Sequence, residues 1–129
     1  MESFKSNGAE LPGQAAAKPA RPSLRRFSQL SASRQALVRL CQSMNYGSIE
    51  GLEVRDSDPV FSPPPFVVVD IKLDADEGLR TEVELTDFAL RDEVRRLIER
   101  LADLKNGTID RVEVRAGIPR RIVFKFRAT

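Results

Sequence analysis

Residues 46–56 read YGSIEGLEVRD and residues 106–116 read NGTIDRVEVRA. At a constant offset of sixty the two stretches align without a gap, and the match runs back to Leu37/Leu97 and forward to Pro59/Pro119. Gly47/Gly107, Ile49/Ile109, Glu53/Glu113, Val54/Val114 and Arg55/Arg115 are identical within it, and Val38/Ile98, Met44/Leu104 and Leu52/Val112 are close replacements. Two helix-plus-strand units could converge because both need a helix stop and a buried alternation. Patterning alone does not require identical Glu and Arg on the outward face, so the repeat reads as an internal duplication. The physical reason for a repeat is burial: one helix and one hairpin, about 40 residues, cannot cover their own apolar faces, whereas two copies can.

The rest of the chain reads outward from this repeat. From Ser33, Leu37, Leu40, Cys41 and Met44 recur at helical spacing behind a serine suited to N-capping, and Gly47 is placed to end the helix. Leu52 and Val54 then alternate with Glu53 and Arg55 as a half-buried strand, and DSDP (56–59) reads as a turn. Pro63 to Pro65 break the chain before FVVVDIKL (66–73), a strand rich in β-branched residues. DADEG (74–78) is a turn, and Val83 and Leu85 mark a short strand. Leu90, Val94, Leu97, Leu101 and Leu104 form the stripe of a second helix stopped by Asn106 and Gly107. The segments TIDRVEVRA and RRIVFKFRA are the last two strands, joined around Gly117 and Pro119.

The fold predicted is α+β in the order αβββαββ, with two helices packed on one face of an antiparallel sheet and repeats at about 33–73 and 88–127. Its inward set comprises Leu37, Leu40, Cys41, Met44, Leu52, Val54, Leu97, Leu101, Leu104, Val112, Val114, Ile122, Phe124 and Phe126. Each copy resembles the YezD-like small bacterial domains of uncharacterised function, in which a short helix leads into a YGS strand and then a hairpin. Residues 36–61 carry the resemblance, and the second copy follows it more loosely, with Asn106 in place of Tyr46. The insert at 62–90 and the N-terminal arm depart from the single-copy pattern. The resemblance implies the helix-and-hairpin unit and no known activity.

At 129 residues, 41% hydrophobic and 31% charged, the chain has material for one modest core. No run nears the roughly 18 apolar residues that span a bilayer. The opening MESFKSNGAELPGQ lacks the apolar segment of a secretory signal, so a cytoplasmic location is expected. Up to about Leu30 the residues are mostly Ala, Pro, Ser, Gly and charge without a sustained period, which reads as a disordered basic arm (1–30) ahead of a single domain (31–129). The net charge is only +2, and the surplus sits on this tail, where Lys5, Lys18, Arg21, Arg25 and Arg26 face Glu2 and Glu10.

The chemistry available is narrow. There is no histidine, and the one cysteine, Cys41, falls on the apolar stripe at the position equivalent to Leu101, so it reads as a core thiol. Asp74, Asp76 and Gly78 faintly resemble a calcium loop, but Leu85 stands where a bidentate Glu would be needed. Ser28 follows the pair Arg25 and Arg26 at a spacing that basophilic kinases read, a string that also arises freely in solvated basic tails. No phosphate loop, nucleophile elbow or metal-spaced cysteine pair is present, so no catalytic, cofactor or metal residue is expected.

One surface is suggestive. Alternation puts Arg111 and Arg115 beside Arg121, Lys125 and Arg127 on the outward face of the last hairpin, with Lys125 and Arg127 about 7 Å apart along the strand, and Arg25 and Arg26 on the arm. With Phe124 and Phe126 inward, that face has no aromatic platform. The function expected is therefore a non-enzymatic intracellular binding or protein-interaction module of unknown partner. The alternative is weak, sequence-independent nucleic-acid binding through the basic face and arm. No membrane partner is expected, and self-association is open.

Overall fold

A computed structural model describes residues 24–74 and 85–128. A 3-10 turn at Phe27–Gln29 precedes helix α1 (Ala32–Ser43), strands β1 (Tyr46–Arg55), β2 (Asp58–Val60) and β3 (Phe66–Asp70), helix α2 (Asp92–Leu104), and strands β4 (Gly107–Arg115) and β5 (Ile118–Val123). The fold is α+β, in the expected order αβββαββ, with an antiparallel sheet of five strands. Its path is β2–β1–β4–β5, and β3 also pairs with β1. Because β4 occupies one edge of β1 along Tyr46–Val54, β2 (opposite Glu53–Arg55) and β3 (opposite Tyr46–Glu50) lie end to end along the other edge.

The second strand is not the one the sequence indicates. The turn expected across residues 56–59 is confined to Asp56 and Ser57, and Asp58–Val60 is already strand. Asp58 is held there by the start of α1: Ser31 Oγ donates to its Oδ1 at 2.8 Å, and Arg34 Nε lies 3.2 Å from the same oxygen. Pro59 is tolerated because β2 is an edge strand. Of the expected strand around Val83 and Leu85, Val83 lies outside the described residues and Leu85 is in no strand.

The helix ends also differ from expectation. The N-cap of α1 is Ser31, whose hydroxyl accepts from the Arg34 N–H at 3.3 Å. Its C-cap is Met44, and Gly47 lies inside β1 rather than at the helix stop. For α2 the stop is Lys105, at a positive φ of 63°, and Gly107 opens β4. Asp92 and Glu93 occupy the first turn of α2, where carboxylates favour the helix dipole.

The two halves are joined through the β1–β4 pair, whose register runs from Tyr46 opposite Arg115 to Val54 opposite Gly107. That register is the one required by a local two-fold exchanging residue i with i+60, with its axis between Glu50–Gly51 and Asp110–Arg111. The hairpin turns correspond as well. Val54 pairs with Pro59 and Arg55 with Asp58, as Val114 does with Pro119 and Arg115 with Ile118. Both turns have positive φ at both central residues, as type I′ hairpins require: Asp56 and Ser57, Ala116 and Gly117. Each turn also lies on the end of the other unit's helix. The Ser57 N–H donates to the Lys105 carbonyl at 2.8 Å and the Gly117 N–H to the Asn45 carbonyl at 3.3 Å, contacts that map onto one another at the same offset.

Helices and strands share one buried cluster, in which Leu37, Cys41, Met44, Leu97 and Leu101 meet Leu52, Val54, Val112 and Val114. Ile49 and Ile109 join it fully buried, although strict alternation from Leu52 and Val112 places them on the opposite face. The inward phase changes at Gly51, whose φ of 72° is a conformation that glycine adopts without steric cost, and across the axis between Ile109 and Val112. Leu40, Leu104 and Ile122 are partly buried against the cluster, whereas Phe124 and Phe126 are not in it.

The folded part of the chain begins before Leu30, the expected end of the arm. Residues 1–23 lie outside the described residues, but Phe27 and Leu30 are each only 5% exposed and belong to the core. The Phe27 ring stacks on Phe88 at 4.8 Å, and the Arg39 guanidinium lies 4.4 Å from the Phe27 centroid. The Phe27 N–H donates to the Phe88 carbonyl at 2.9 Å, and the Leu90 N–H to the Arg25 carbonyl at 2.8 Å. Asp87 closes this clasp, accepting from Arg26 Nε at 2.7 Å and from the Ser28 N–H at 2.9 Å.

Two outcomes follow from this packing. Leu101→Ala, at a fully buried position, should lower the unfolding free energy by about 2–5 kcal/mol in denaturant titrations. The Arg26 guanidinium, followed by the Ser28 N–H, holds the Asp87 carboxyl at about 2 against its ordinary 3.8. A depressed folded value means that the clasp's contribution is complete above 3.8 and is lost as pH falls through about 2. The Ser28 amide resonance should therefore titrate with a midpoint near 2, and Asp87→Asn should abolish that titration and raise amide exchange at Phe27 and Leu90.

Candidate interaction surfaces

The basic face expected on the last hairpin is only partly assembled. Arg111 and Arg115 lie on β4 and Arg121 on β5, but the strand ends at Val123, so Lys125 and Arg127 leave the ladder and no strand spacing sets their separation from Arg121. Glu113 sits between two guanidiniums, 3.5 Å from Arg111 Nε and 3.2 Å from an Arg121 terminal nitrogen. Lys125 Nζ lies 3.9 Å from Asp110. Arg25 and Arg26 belong to the clasp against residues 87–90 rather than to a free arm beside the hairpin.

Phe124 and Phe126, expected inward, are 39% and 84% exposed. The reason is local. A register shift between Glu113 and Val114 displaces β5 by one residue, and pairing stops at Val123, so alternation no longer dictates a face beyond it. Both rings line grooves against the side of α2. One groove, of 530 Å³, is formed by Arg96, Arg100, Arg120, Arg121 and Phe124, with Glu93 as its one carboxylate. Arg120 engages Glu93 at 2.8 Å, whereas Arg96 and Arg100 have no carboxylate partner among the described residues. The adjoining groove, of 470 Å³, shares Arg100 and Phe124 and adds Asp103, Lys125 and Phe126. Arg96, Arg100 and Arg120 were not expected at a site. The signal available was the i, i+4 spacing of Arg96 and Arg100 on the polar side of α2.

The second surface is β3. Its five residues are all exposed, with Phe66, Val67, Val68 and Val69 at 42–78%, and Ile71 and Leu73 continue the apolar run. A strand apolar on both faces is normally covered on both, yet β3 pairs only with β1 among the described strands. Gly47 permits that pairing, since a β-carbon there would collide with the Val68 carbonyl oxygen. Gly47→Ala should thus detach β3 and raise amide exchange across residues 66–70 while the helical circular dichroism signal is retained.

The chemical candidates lie elsewhere. Cys41 is 1% exposed, and burial pushes its thiol up to about 12, so the thiolate that reacts is suppressed and the side chain packs as a small hydrophobe. It borders a 300 Å³ cleft between the helices, lined also by Val38, Gln42, Phe88 and Val94. Asp76 and Gly78 lie outside the described residues, and among those described no group of three or more His, Cys, Asp or Glu is placed to hold a metal ion. No described helix is long and apolar enough to cross a membrane. No family model, curated protein or solved structure matches this chain.

Proposed function

We propose that this protein is a non-enzymatic protein-interaction module working by strand addition at the edge of β3 that no described strand covers, and that the strand it takes is β3 of a second copy. The observation that carries the reading is a five-residue, largely apolar strand at a sheet edge, every residue of which is exposed. Self-pairing is favoured over a foreign strand by complementarity. An antiparallel two-fold centred on Val68 sets Phe66 against Asp70, Val67 against Val69 and Val68 against itself, uses the whole strand and opposes no like charges. It would run one sheet through both copies, as β1 and β4 already do within one chain. In the same reading the repeat at offset sixty is an internal duplication, and the buried Cys41 suits a reducing, cytoplasmic setting.

Sedimentation velocity tests this. The wild type should show a concentration-dependent dimer, and Val68→Lys, which puts two ammonium groups opposite each other, should weaken it at least about tenfold without changing the fold by circular dichroism. A wild type that stays monomeric at high protein concentration, or a variant that dimerises as well as wild type, would refute the reading.

A further inference from the structure

We infer that the grooves between α2 and β5 form a binding site for single-stranded nucleic acid, independent of the strand-pairing reading. The charge is concentrated and partly uncommitted. Four arginines surround the first groove, its one carboxylate, Glu93, is already engaged by Arg120, and Arg96 and Arg100 stand one helical turn apart with no carboxylate partner among the described residues. Guanidinium groups on two facing elements can grip consecutive phosphates of a flexible backbone.

The aromatics decide the class of ligand. Phe124 and Phe126 stand two residues apart past the end of β5, line the continuation of the same groove beside Lys125, and expose their rings. A sugar phosphate or a lipid headgroup gives such rings nothing to stack on, and a mononucleotide offers one base to two rings. An unpaired base does, and a duplex keeps its bases stacked away from them. The strand's backbone would follow the arginines while its bases fold over the two phenylalanines. With the arginines gripping phosphates and no Asn or Gln lining either groove, recognition is largely indifferent to sequence.

The magnitude of the salt response separates the contributions. If only Arg96 and Arg100 release counterions, affinity should fall roughly 7-fold between 50 and 200 mM salt, and if all four arginines do so, roughly 50-fold. The test is fluorescence anisotropy with labelled 12-nucleotide oligo-dT, oligo-U and a duplex of the same length on the full chain. The single strands should bind in the micromolar range and the duplex more weakly. The double variant Arg96→Glu/Arg100→Glu should lose at least tenfold. Phe126→Ala, at a largely exposed position that cannot disturb the core, should weaken binding several-fold with an unchanged salt slope. Circular dichroism checks that both variants fold. No binding at 100 μM protein, equal affinity for the duplex, or wild-type affinity in the arginine variant would overturn the site. An unaltered affinity in Phe126→Ala would overturn the assignment to nucleic acid and leave a plain polyanion site. Because none of these positions lies on β3, loss of dimerisation through Val68→Lys would leave this result standing.

Discussion

The antiparallel contact between β1 and β4 is the constraint on which the rest of the structure depends. Each helix-and-hairpin unit is too small to bury its own apolar surface, and this pair is where the two units share one core. Its register brings Ile49 opposite Val112 and Leu52 opposite Ile109, all completely buried, so a slip by one residue would turn the best-buried side chains of both strands outward together. The change of phase at Gly51 is part of the same arrangement. It lets side chains three apart in sequence enter one cluster, which a regular strand would forbid.

Reciprocity extends from the sheet to the helix ends. The hairpin turn of each unit donates a backbone N–H to a carbonyl at the end of the opposite helix, Ser57 to Lys105 and Gly117 to Asn45. Beside the local bonds that close each helix end, such as Met44 N–H to the Cys41 carbonyl and Lys105 N–H to the Leu101 carbonyl, these two are made across the axis. The consequence is cooperativity: neither unit's helix has its full set of partners without the other's turn.

What lies outside the pseudo-symmetric body differs between its two sides, and that asymmetry locates the surfaces. On the β1 side the insert continues past β2 into β3, which presents an apolar edge. On the β4 side no strand covers β5 among the described strands. A bulge there displaces the register, and the chain runs off the sheet carrying Phe124, Lys125 and Phe126 toward the arginines of α2. The N-terminal clasp of Phe27, Phe88, Arg39 and Asp87 closes a third flank and draws residues from a tail of unpromising composition into the core.

Local periodicity determined a good deal. The two helices, the strands at β1, β3, β4 and β5, the class and order of the fold, and the burial of Leu37, Cys41, Leu97, Leu101, Val54 and Val114 were all legible, because spacing along a chain dictates which side chains share a face. Only the tertiary structure decided the remainder, and in each case the deciding contact is remote in sequence. Ile49 is buried because the strand changes phase opposite β4. Asp58–Val60 is strand because Ser31 and Arg34 hold Asp58, and Phe27 is core because Phe88 offers it a ring. Phe124 and Phe126 are exposed because the ladder that would have turned them inward ends at Val123, a limit set by pairing with β4. The basic groove was invisible for the same reason: Arg96 and Arg100 come from a helix and Arg120 and Arg121 from a strand, and nothing in their spacing shows that the two elements lie side by side.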